Sequence, residues 1–92
     1  MPSPLADLNL HPVFRYRRRE GLSIHAFAER AGVTRATVAR CEDGRIQMPT
    51  LETVYRLSAG TDGAVSVDEI VLWHARNARR AYDTGELALE PA

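Results

Sequence analysis

Lysine does not occur in this chain; all twelve basic residues are arginine, a usage that suits bidentate contacts with guanine edges and phosphates and that a GC-rich genome also produces. Cysteine occurs once, which excludes an internal disulfide. No apolar run approaches the roughly twenty residues that a membrane-spanning helix needs. The opening MPSPLADLNL lacks the basic-then-apolar pattern of a secretory signal, so a cytoplasmic protein with no membrane partner is expected. The histidines at 11, 25 and 74 and Cys41 show no metal-ligand spacing, no glycine-rich loop could cradle a phosphate, and no serine sits in a nucleophile motif. No metal, no cofactor and no enzymatic activity are therefore expected. Net charge is also missing, at zero overall, and 92 residues suffice for one domain with one modest core.

What is present is concentrated in residues 27–44, FAERAGVTRATVARCEDG, which read as two short helices meeting at a tight turn. Phe27, Ala28 and Ala31 have the spacing that gathers side chains on one side of a helix. Gly32 supplies a left-handed stop, and Val33 can drop into the angle between the helices. Thr34 caps the next helix, which runs from about 35 to 43 and ends at Gly44. Turning at about 100° per residue, that helix places Val38 and Cys41 on one side and Ala36, Ala39 and Arg40 nearly opposite, with Arg35 at the edge. A small, cationic outward side on a helix held by a partner suits the major groove of DNA, although surface helices often carry alanine and arginine without that role.

These residues resemble the Cro and phage-repressor type of helix-turn-helix protein, the XRE family. The resemblance covers roughly 13–57 and rests on Arg17, Gly21-Leu22-Ser23, Phe27-Ala28-Glu29, Gly32-Val33-Thr34, Arg40, Glu42, Gly44 and Pro49-Thr50-Leu51-Glu52. It implies an all-α, compact five-helix domain of the lambda-repressor-like type, here with an extended C-terminal helix. It also implies a structural ion pair between Arg17 and Glu42. Where the family carries glutamine and glutamate in the first turn of the second helix, this chain has Ile24 and Ala26. A phosphate contact at that end then falls to the backbone amides at Ile24, with His25 as a substitute donor. In the loop after Gly44, Arg45 is the candidate for a phosphate.

Along the chain, residues 1–10 read as a flexible arm, 11–60 as the helix-turn-helix domain, 61–82 as a helix for core closure and dimerisation, and 83–92 as a mobile acidic tail. Pro12 opens the first helix, which turns Val13 and Tyr16 inward. Ser23 caps the second, and Thr50 caps a fourth that buries Leu51, Val54 and Leu57. Asp62-Gly63 forms a turn, and Ser66 with Glu69 forms a capping box. On the last helix Val67, Ile70, Val71, His74, Ala78 and Ala81 make a stripe; Leu72 and Trp73 lie off it. Ile70, Leu72, Trp73, His74 and Asn77 are accordingly assigned to contact with a second copy, against the alternative that Trp73 folds over the edge of the core.

The zero net charge hides an asymmetry. Residues 11–60 hold nine arginines against five acids, whereas the remainder holds three against seven. A basic half bearing the motif fits a polyanionic partner, and an acidic remainder fits a separate interaction end. The expected function is a dimeric, sequence-specific double-stranded DNA-binding repressor, bacterial or phage-encoded and nucleoid-associated when bound. Arg35, Ala36, Ala39 and Arg40 would meet base edges, and Ile24, His25, Thr34, Thr37 and Arg45 phosphates. An antitoxin paired with a toxin, or a protein-interaction module without DNA binding, remain the alternatives.

Overall fold

The computed structural model describes residues 10–83. Within them lie five α-helices: α1 Pro12–Glu20, α2 Ile24–Ala31, α3 Arg35–Glu42, α4 Leu51–Gly60 and α5 Val67–Asp83. Apart from Leu10 and Asp83, the expected arm at 1–10 and tail at 83–92 lie outside the described residues, as does the side chain of Ala81.

Local chemistry sets the helix boundaries. Ser23, Thr34 and Thr50 each accept the amide of the residue three positions on, at 3.0, 3.1 and 3.2 Å, satisfying a donor that the first turn leaves open. Ser66 and Glu69 exchange reciprocal bonds at the start of α5, where the Glu69 amide donates to Ser66 Oγ at 3.1 Å and the Ser66 amide donates to Glu69 Oε1 at 3.3 Å. Gly32 ends α2 at φ +72°, and its amide and that of Val33 donate to the Ala28 carbonyl at 2.9 and 3.1 Å. The cap of α1 is His11, whose Nδ1 accepts the Val13 amide at 3.1 Å.

Phe27, Ala28 and Ala31 of α2 meet Val38 and Cys41 of α3, Val54 and Leu57 of α4, Val13 and Tyr16 of α1, and Ile70 of α5 in one core. The α2–α4 contact is close because Gly60 has no side chain. A Cβ there would stand 2.9 Å from Ala31 Cβ and 3.1 Å from Phe27 Cζ. Gly60→Ala is therefore expected to destabilise the domain by about 1–3 kcal/mol through overpacking, despite alanine's better helix propensity. Urea unfolding with an unchanged or raised midpoint would show that α4 can shift to make room.

Two expectations are corrected. Leu51 is 63% exposed and is not part of the core. With Val54, Leu57 and Gly60 inside, the buried arc of α4 centres on Leu57, and Leu51 lies about 120° away from it at 100° per residue. The assignment of Ile70 and His74 to a second copy is also corrected. Ile70 and His74 are fully buried by the chain's own helices. The half-buried Trp73 ring stacks edge-on against His11 at 4.7 Å between centroids. Asn77 and Trp73 press on Gly44, where a Cβ would come within 2.6 Å of Asn77 Nδ2 and 3.5 Å of the Trp73 ring. Helix α5 thus braces the end of α3; of the five residues Leu72, 50% exposed, is the most open, with Trp73 and Asn77 half-buried.

Candidate nucleic-acid interface

Helix α3 is anchored from beneath and open above. Val38 and Cys41 are 0% and 1% exposed, which points Arg35, Ala36 and Arg40 into solvent and leaves Ala39 half-buried. Burial, reinforced by the nearby Glu42 carboxylate, pushes the Cys41 thiol up to about 11, so it is an inert core group. No ion pair among the described residues engages Arg35 or Arg40.

The turn and both ends of α3 are held by neighbours. Arg56 of α4 donates from Nη1 to the Gly32 carbonyl at 3.2 Å while its Nε and Nη2 engage Glu52. At the C-terminal end, Arg17 donates from Nε and Nη2 to the two oxygens of Glu42, both at 2.8 Å, and from Nη1 to the Leu22 carbonyl at 3.0 Å. The fork ties α1, the start of α2 and the end of α3 together. Its hydrogen bond to Glu42 raises the Arg17 pKa above its ordinary value, against the opposing effect of partial burial.

Ile24, His25, Arg35, Ala36 and Ala39 line one open cleft of about 500 Å³ between the first turn of α2 and the outward side of α3. Arg40 lies farther along the helix, outside that lining. Thr34 and Thr37 share a hydroxyl contact of 2.9 Å, so both are occupied with the cap of α3. His25 pairs with Glu29 at 3.2 Å, and Arg45 with Asp43 at 2.6 Å. Exposed contacts of this kind contribute at most about 1 kcal/mol, so neither side chain is held firmly in its place.

One feature of this region lay beyond sequence reasoning. His11 and His74, far apart in the chain, meet in the core with their Nε2 atoms 3.0 Å apart. The network sets both tautomers. His11 Nδ1 accepts the Val13 amide, so the ring proton is on Nε2 and is donated to His74 Nε2. His74 then carries its proton on Nδ1 and donates it to the Ile46 carbonyl at 3.1 Å. Two neutral rings satisfy all four nitrogens and pin the loop that bears Arg45. Burial, followed by the repulsion that a protonated His74 and Arg15 would exert, lowers the His11 pKa to about 3, and burial lowers that of His74 against the raising effect of the Ile46 and Gln47 carbonyls. The one sequence signal was the position of His11 directly before a proline that opens a helix.

A bracing helix behind a short, outward-facing cationic helix, joined through a glycine turn to its partner, defines a helix-turn-helix module. Residues 15–64 match the model of the helix-turn-helix domain, and the chain belongs to that family, in keeping with the resemblance to XRE-type DNA-binding proteins. Neither the curated proteins nor the solved structures provide a match. Among the described residues no helix is long and apolar enough to cross a membrane, and no group of three or more His, Cys, Asp or Glu is placed to hold a metal ion.

Proposed function

We propose that this protein is a sequence-specific double-stranded DNA binder that acts as a transcriptional repressor, with α3 entering the major groove. The observation that carries the reading is the outward side of α3, where Arg35 and Arg40 stand exposed without an ion pair beside two alanines small enough to let the backbone approach the base edges. Arg40 reads a base. The amides at Ile24, together with His25, Thr34, Thr37 and Arg45, surround it with phosphate contacts. Two copies bind an inverted repeat with half-sites about one helical turn apart. The exposed Leu72, beside a hollow of about 350 Å³ lined by Asp68, Val71 and Leu72, supports an association surface on α5.

The test is a gel-shift titration and footprint on the DNA upstream of the chain's own coding sequence. Arg40→Ala is expected to cost about 1–3 kcal/mol of affinity and to relax preference at one base position of each half-site. Arg45→Ala should instead weaken all sequences alike and reduce the salt slope by about 0.9 for each lost phosphate contact. An Arg40→Ala protein with the parent's affinity and base preference would remove the assignment.

A further inference from the structure

The cleft between α2 and α3 has an apolar stretch of floor. Ile24, Ala36 and Ala39 bring side chains of hydrocarbon alone to its lining, beside the polar side chains of His25 and Arg35. Ile24 and Ala39 are half-buried while Ala36 is exposed, so the floor is rigid on its inner side and open toward the groove. The major-groove edge of DNA displays donors and acceptors at every base, and the single apolar group among them is the 5-methyl of thymine. Over the side chains of Ile24, Ala36 and Ala39, which offer no hydrogen-bond partner, the polar atoms of a base edge would lose water without replacement, whereas a thymine methyl would lose water favourably.

We propose that the cleft floored by Ile24, Ala36 and Ala39 takes the 5-methyl group of a thymine, making an A·T pair beside the arginine-read position a fixed part of each half-site. This rests on the proposal above that α3 enters the major groove. It adds a base identity that the arginines do not determine. Ile24 acquires a role of its own: a polar residue at the first turn of α2 would offer a donor or acceptor there, and the isoleucine closes the end of the cleft with hydrocarbon.

The experiment selects bound sequences from a random duplex library, then resynthesises the recovered site with deoxyuridine in place of each thymidine in turn. At one thymidine per half-site, loss of the methyl should raise Kd about fourfold, the worth of one buried methyl group. Ala36→Ser, at an exposed position where folding is undisturbed, should bring the thymidine-to-deoxyuridine affinity ratio at that position close to one. A selected site that tolerates deoxyuridine everywhere, or that binds more tightly with 5-methylcytosine at that position, overturns the thymine assignment and leaves DNA binding standing. A library that yields no enriched sequence overturns both.

Discussion

Arg17→Ala is expected to lower stability by about 3 kcal/mol, corresponding to a drop in Tm of roughly 12–24 °C for a domain of this size. The two side chains of the Arg17–Glu42 pair are only 12% and 5% exposed and are joined by two parallel hydrogen bonds of 2.8 Å. Truncating the arginine strands a nearly buried carboxylate and also releases the Leu22 carbonyl. The effect belongs to the stranded charge and not to the worth of the pair. Replacing both partners together, as Arg17→Met with Glu42→Leu, should therefore recover much of the loss. Far below its melting temperature the single variant should keep the parent's base preference, because Arg17 lies behind α3 and not on its outward side. Thermal denaturation followed by helical circular dichroism decides the matter: a single variant melting with the parent, or a double variant no better than the single, would show the pair to be solvated and dispensable.

The second large effect is on acid stability. Both core histidines have pKa values depressed by burial, His11 to about 3 from an ordinary 6.5. Between those values the unfolded chain binds a proton that the folded chain refuses, so stability is complete above pH 6.5 and falls as pH is lowered through this window. From pH 7 to pH 5 the loss is about 2 kcal/mol for His11 alone, and His74 adds to it in the same direction. Geometry gives the same sign. A second proton on His11 Nδ1 would break the cap of α1, and one on His74 Nε2 would face the proton that His11 donates. Because His74 also holds the Ile46 carbonyl, the loop carrying Arg45 should loosen with it, and non-specific DNA affinity should fall on acidification more than counterion effects predict. Melting curves at pH 7.5 and 5 test this, with His11→Asn/His74→Gln as the variant whose Tm should change less between the two. A parent protein with the same Tm at both values would dispose of the neutral-pair account.

Much of the site was legible beforehand because it is built from short-range chemistry. The left-handed glycine at 32, the threonine cap at 34 and the 3.6-residue spacing of Val38 against Ala36 and Arg40 concern residues within a turn or two of one another. Their hydrogen bonds and angles follow from the order of residues alone. The Arg17–Glu42 pair was reached only through the family resemblance, since nothing local joins those two positions. On α5 the placement of Ile70 and His74 needed the tertiary structure for a related reason. Periodicity identifies a stripe containing Ile70 and His74 and a second apolar side containing Leu72 and Trp73, but the stripe is buried within one chain and Trp73 is partly covered by His11 and Gly44, which leaves Leu72 open.

Sequence alone, then, determined where each helix starts and stops and which side of α3 looks outward, because caps, glycine stops and helical pitch are settled by neighbouring residues. Only the tertiary structure decided that Leu51 stays in solvent, that Trp73 and Asn77 brace the end of α3, and that two histidines 63 positions apart share a proton network. Those outcomes depend on the distance and rotation at which helices pack, set by the whole core at once, with Gly60 allowing α4 to sit against α2, and α1 and α5 bringing His11 and His74 within hydrogen-bond reach.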